Sequence, residues 1–175
     1  MAVAVIGKLP LVAVDSNVLL DLADDVATVW DAIDTIRARL KGVRIGATCS
    51  VLQELAWLSG NSADLECQGA AQTALMKFAS EWKFTLIDFI PVGHGIVEQT
   101  AARIRADGLL PPEEVHDSLI IAESALAGCT ILLSSDAHIC EIDQTRLSLV
   151  LDKCDVNKVI VTSPAKIVKS FFQKR

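Results

Sequence analysis

A chain of 175 residues, 51% of them hydrophobic, has material for one sizeable buried core and little room for two full domains. Its net charge of −6 and pI near 5.0 argue against gripping nucleic acid through a broad cationic face, although local basic groups could still line a path for phosphate. No apolar run approaches the roughly 20 residues of a membrane helix, and the scattered cysteines (Cys49, Cys67, Cys129, Cys140 and Cys154) form no CxxC pair, so the expectation is a soluble cytoplasmic protein with buried free thiols.

The opening MAVAVIGKLPLVAV lacks a basic leader and a small-residue cleavage site, and is read as a lead-in plus a strand. Within it, LVAV stops at Asp15, as a buried parallel strand does when its C-terminal end opens on a site. Residues 16 to about 41 are expected to be helical. Asp24-Asp25 divides a short first helix from a longer amphipathic one carrying Val29, Ile33, Ile36 and Leu40 on one side, and Lys41-Gly42 supplies a stop. A second strand fits Val43 to Ala47. Thr48 or Ser50 can cap the following helix, which runs through Val51, Leu52, Leu55 and Leu58 until Ser59-Gly60-Asn61 breaks it. Another helix is expected from about 62 to 80, a strand from Phe84 to Phe89 closed by Pro91, and a helix over 93 to 107. Pro111-Pro112 interrupts regular structure. The segment after Glu113-Glu114 becomes a helix through Leu119, Ile120, Ala122, Ala125 and Leu126, ended by Gly128. Thr130 to Ser134 is a strand leading to Asp136, Lys158 to Val161 is the last strand, and Ser163-Pro164 opens a terminal helix.

Strands that alternate with helices need crossover connections, so the sheet is expected to be mainly parallel within a three-layer α/β/α sandwich. Such sheets bind ligands beyond the carboxyl ends of their strands, at a switch point in strand order. Asp15 and Asp136 lie at or just past predicted strand ends. Glu54 falls in the first turns of the helix after the second strand, and Asp117 near the start of the helix leading to the Asp136 strand.

Carboxylates in one pocket repel by roughly 3 kcal/mol per pair at about 5 Å with an effective dielectric near 20. Hard divalent cations offset this: Mg²⁺ or Mn²⁺ takes oxygen ligands, keeps waters and binds substrate phosphate. A metal held this way lowers the pKa of a bound water, and two ions about 4 Å apart can divide activation of the attacking water from stabilisation of the leaving oxygen. Asp15 and Asp136 suit primary ligands, Asp117 a bridging or second-ion ligand, and Glu54 a water-mediated ligand or an orienter of the attacking water. Asn17 and Ser134 are short polar groups suited to holding the carboxylates in place.

These motifs resemble those of the PIN domain family. The stretch Val14-Asp15-Ser16-Asn17-Val18-Leu19-Leu20-Asp21-Leu22 is similar to the family's opening strand and turn, and Val51-Leu52-Gln53-Glu54-Leu55 to its helical glutamate segment. His116-Asp117-Ser118-Leu119-Ile120-Ile121-Ala122, followed by Ala127 to Asp136, resembles the third and fourth acidic motifs. Val161-Thr162-Ser163-Pro164-Ala165 resembles the closing strand and helix start. The resemblance spans about residues 10 to 170 and implies one PIN-like domain over residues 1–175, with a basic tail at 166–175. It further implies a Mg²⁺- or Mn²⁺-dependent endoribonuclease that leaves 5′-phosphate and 3′-hydroxyl ends on its RNA substrate. Many relatives are homodimers, and many are toxins of toxin–antitoxin pairs, blocked by a small antitoxin protein. The chain departs from the pattern in Ala137-His138, where a further acidic residue often follows the fourth carboxylate, and in added length around residues 60 to 112.

Other residues receive plainer readings. His138, near Asp136, could ligate metal or shuttle a proton but reads first as an exposed loop residue; His116 is adjacent to Asp117 and reads likewise as a bystander, His94 reads as a turn residue, and Trp30, Trp57 and Trp82 read as core. Lys153, Lys158, Lys166, Lys169, Lys174 and Arg175 read as a solvated helix face. No GxSxG elbow, Walker-type loop or GxGxxG appears, and Asp15-Ser16-Asn17 lacks the DxD of Mg²⁺ phosphatases. The competing function is a non-catalytic PIN-like scaffold or partner-binding protein.

Overall fold

The computed structural model describes residues 9–88 and 93–172. Five parallel strands lie in the order β3-β2-β1-β4-β5, formed by β1 (Leu11–Val14), β2 (Arg44–Thr48), β3 (Thr85–Ile87), β4 (Ile131–Leu133) and β5 (Ile160–Thr162). β1 is central, paired with β2 on one side and β4 on the other, and all of its side chains are buried. A strand covered on both faces must be apolar throughout, which is why LVAV does not alternate.

The chain first moves outward from β1 through β2 to β3, then returns past β1 to β4 and continues to β5. Right-handed crossovers therefore place the helices of the two journeys on opposite faces. One layer holds α1 (Ser16–Ala23), α2 (Ala27–Arg39), α3 (Cys49–Asn61) and α4 (Leu65–Ser80); α1 packs on α4, and α9 (Pro164–Phe172) returns to pack on α2. The other layer holds α5 (Gly93–Ala106), α6 (Val115–Leu126), α7 (Ala137–Cys140) and α8 (Gln144–Lys153), with α5 packed on both α6 and α8. The expected α/β/α sandwich with a parallel sheet is the observed architecture.

Helix α3 ends at Asn61, within the expected Ser59-Gly60-Asn61 break, and its last turn is tied off by side chains, Ser59 donating to the Ala56 carbonyl, Asn61 to that of Trp57 and Gln72 to that of Ser59. Several local expectations change. Thr48 is the N-cap of α3, but its hydroxyl makes no capping bond and is buried without a partner. The helix expected from 62 begins at Leu65, where Asp64 accepts from the backbone N–H groups of Glu66 and Cys67 and fixes the start. β3 is shorter than expected, and Phe89 and Pro91 lie outside the described residues. Helices α7 and α8 occupy a stretch for which no element was predicted; Asp136 and Asp143 cap them.

Trp82 is buried and stacks edge-on with Trp30 at 6.1 Å, as core residues should, whereas Trp57 is 59% exposed on α3. Only Cys129 of the thiols is fully buried. The described lysines of the expected basic face are divided among α8, the approach to β5 and α9, so they do not share one helix; Lys174 and Arg175 lie outside the described residues. Among the described residues no helix is long and apolar enough to cross a membrane.

Candidate active site

The strand order reverses direction between β1 and β4, and the carboxyl ends of these neighbours carry the first two acids. Val14 pairs with Leu133, and the next backbone N–H, that of Asp15, donates to Leu133 O at 2.9 Å. This register sets Asp15 beside Ser134. The Ser134 hydroxyl donates to Asp15 Oδ2 at 2.8 Å and accepts from the Asp136 N–H at 3.0 Å, so one serine ties both acidic segments together.

Asp15 is 2% exposed and caps α1: its Oδ1 accepts from the Ser16 N–H at 2.7 Å and the Ser16 hydroxyl at 3.2 Å. Burial raises its pKa; the bonds from Ser134 and Ser16 oppose the rise, and the charge of Glu54 adds to it. Asp136 caps α7, accepting from the N–H groups of His138 at 2.7 Å and Ile139 at 3.3 Å. Cap geometry therefore positions both acids, because a side chain that satisfies free N–H groups at a helix start is held in one rotamer.

The other two acids come from helices. Glu54, on α3, meets His116 Nε2 at 2.9 Å. Burial acts to raise the Glu54 pKa, but the hydrogen bonds from His116 and Ser16 overcome it, and the carboxylate sits below its ordinary range. His116 is correspondingly raised, chiefly by that same bond. Asp117, on the first turn of α6, is pushed up to about 7, first by burial and then by the charges of Asp15, Asp136 and Glu114. The charges of Asp15 and Asp136 thus reach Asp117, and that of Glu54 reaches Asp15, which puts the four acids in one charge field.

The donor set is all oxygen and carries more negative charge than its protein neighbours neutralise, which fits a hard divalent cation. It is not closed into a cage, however. Among the described residues, no three Asp, Glu, His or Cys side chains stand close enough together to hold a metal ion. The reason lies in the bonds above: Glu54 leans toward His116, Asp15 is held by two serines, and Asp136 points one oxygen into its cap. The donor chemistry suits a metal, while its closure requires these side chains to shift.

Of the two supporting residues expected from the sequence, Ser134 touches the cluster. Asn17, on the first turn of α1, makes no hydrogen bond to these acids among the described residues. His116 lies on α6 and is bonded to Glu54, a contact for which its place next to Asp117 is the one sign in the sequence. His138 lies on α7 and His94 on α5, both exposed. Sequence reasoning missed Ser16, although a serine directly after a strand-end aspartate is a recognisable helix start. It also missed buried Glu123, which accepts from the Ser50 hydroxyl at 2.8 Å. No sequence signal marks that carboxylate, since its type argues for exposure.

No model of a known protein family matches the chain, and no curated protein matches it in sequence. Among solved structures, the fold is similar to a chain of VapBC2 from Rickettsia felis, in a crystal structure of that assembly bound to a DNA fragment from its promoter. The match covers 87% of this chain and 98% of that one, at 14% sequence identity and a TM-score of 0.58. At that identity the likeness carries the fold alone, a three-layer α/β/α sandwich around a parallel sheet.

Proposed function

We propose that the chain is a Mg²⁺- or Mn²⁺-dependent endoribonuclease that hydrolyses RNA phosphodiester bonds at the edge bearing Asp15, Glu54, Asp117 and Asp136. The observation that carries this reading is the Ser134 hydroxyl, which donates to Asp15 at 2.8 Å and accepts from the Asp136 N–H at 3.0 Å, beside an Asp117 raised to about 7 by burial and then by the charges of Asp15 and Asp136. Groups that perturb one another this way beyond a strand-order reversal mark a functional site. Asp15, Asp117 and Asp136 would hold the metal. Glu54, kept ionised by His116, would orient a water or bind through one. Bound there, the metal supplies a lowered pKa for water and stabilises the charge that develops on phosphate oxygens. Ser134 and Ser16 hold Asp15 and His116 holds Glu54 in the metal-free chain, and binding of the ion would draw these donors together.

The fold likeness to a chain of a VapBC assembly supports a toxin–antitoxin role with a small protein partner. A homodimer is part of the same reading. A second reading, a non-catalytic scaffold of the same fold, draws on the acids' not being gathered at ligand distance.

Cleavage of labelled single-stranded RNA separates the two. Purified protein is assayed with Mn²⁺, Mg²⁺ or EDTA beside Asp15→Asn and Asp117→Asn. The nuclease reading expects metal-dependent cleavage that both substitutions abolish. Equal cleavage by wild type and both variants would mean a contaminant, and no cleavage with either metal favours the scaffold. Growth arrest on expression, relieved by the product of an adjacent small gene, tests the toxin role.

A further inference from the structure

We propose that the groove between α5 and α8 holds the phosphates of single-stranded RNA on their way to the acidic edge, with Arg103, Arg146 and Lys153 as its cationic contacts. The inference rests on the nuclease reading and adds a binding path to it.

Two clefts on this face share a wall. One, of about 430 Å³, is lined in part by Gln99, Thr100, Arg103 and Lys153. The other, of about 250 Å³, is lined in part by Asp107, Arg146 and the same Lys153. Both clefts lie where α5 and α8 pack, and Lys153 borders each of them. Their cations, Arg103, Arg146 and Lys153, outnumber their carboxylates, Asp107 and Asp155. Asp107 and Arg103 pair at 3.0 Å, offsetting one charge of each sign, and Arg146 donates to the Asp107 backbone carbonyl, so the lining keeps a balance of one positive charge. In a chain of net charge −6 this local positive balance runs against the whole.

The channel also starts in the right place. Arg105, on the last turn of α5, donates to the hydroxyl of Ser118, the residue after Asp117. The C-terminal end of α5 is thereby fixed beside the first turn of α6, where the acidic cluster lies. From Arg105 back to Thr100 the helix rises about 8 Å, so the channel extends away from the cluster by one or two turns. Exposed Arg103, Arg146 and Lys153 are spread along that length. A positively charged groove that tracks a backbone is how sequence-indifferent proteins hold single strands. An acidic cutting site needs such a flank, because unaided it repels the strand it cuts.

The experiment is equilibrium binding of a fluorescent 20-nucleotide single-stranded RNA to the full chain in EDTA, read by anisotropy over a range of salt concentrations. Wild type is compared with the double variant Arg103→Gln/Lys153→Gln, the charge-keeping Arg103→Lys/Lys153→Arg, and the control Lys77→Gln/Lys83→Gln on the opposite layer. The channel predicts that the Gln pair binds about 10-fold more weakly, with a salt slope lower by about one to two. The charge-keeping pair and the control should both bind as wild type. Unchanged affinity and slope in the Gln pair, or an equal loss in the control, overturns the channel. Because cleavage plays no part in this assay, failure of the nuclease reading shows separately, as wild type that never cuts RNA with Mg²⁺ or Mn²⁺.

Discussion

His116 Nε2 on α6 lies 2.9 Å from Glu54 Oε2 on α3, so one ion pair spans the two helix layers at the carboxyl edge of the sheet. The imidazole is raised by this bond and the carboxylate lowered. For the raised histidine, stabilisation is full below its unfolded value of 6.5 and fades as pH rises through the folded value. For the lowered glutamate, it is present above 4.5 and fades as pH falls through the folded value. His116→Ala should therefore cost about 0.5 to 1 kcal/mol between these limits, the pair being partly solvated, and nothing well above them. Urea denaturation at several pH values checks this.

Asp117 carries a pKa near 7 and so resists ionisation in the folded chain. A raised carboxyl contributes stability that is complete below its unfolded value of 3.8 and is lost as pH rises through 7. Metal-free protein should lose stability over that interval. Asp117→Asn should remove the loss, raising stability at pH 8 by about 1 to 2 kcal/mol after allowance for solvent screening. On the metalloenzyme reading, Mn²⁺ should stabilise wild type more at pH 8 than at pH 6 and leave the variant unmoved. Calorimetric scans with Mn²⁺ or EDTA measure both effects.

Ser134 donates to buried Asp15 and accepts from the Asp136 N–H. Ser134→Ala removes both bonds and leaves a buried carboxylate oxygen without its donor, at a cost of about 1 to 3 kcal/mol. Denaturant midpoints report the stability loss. On the nuclease reading, cleavage should fall by more than the change in RNA binding, because the acids lose alignment while the channel is untouched.

Gly46 on β2 faces the backbone of β3. A methyl group there would lie 1.9 Å from the Thr85 carbonyl oxygen, an atom that the sheet does not allow to swing aside. Gly46→Ala should cost at least about 3 kcal/mol or prevent folding. Gly60, inside α3 with open space around it, predicts the reverse. Gly60→Ala should stabilise by about 0.5 to 1 kcal/mol through helix propensity. Thermal melts of the two variants should move in opposite directions.

The layered fold was legible because its signals are local. LVAV followed by Asp15 reads as a buried strand, and the strand-helix alternation admits only crossovers. The short α7 and α8 carry weak local signals: the first is a single turn held by the Asp136 cap, and the second buries only Leu147, Val150 and Leu151 behind its Asp143 cap. Trp57 was assigned to the core by its apolar neighbours, yet α3 turns it outward. An aromatic type says what a residue gains from burial, not which way its helix faces.

The acids show the same division. Their types and order were readable from the chain, and so was the expectation that strand ends would carry Asp15 and Asp136. Neither the attachment of Glu54 to His116 nor the placing of Ser134 between two acidic segments follows from spacing. The apolar periods and the strand-ending carboxylates are written along the chain, because each depends on neighbours a few positions away, whereas the caps are not: Thr48 makes no capping bond and Asp64, Asp136 and Asp143 do. Which distant groups share a charge field, and which helix faces meet, comes from the folded arrangement alone, because both depend on strand register and layer packing across more than a hundred residues.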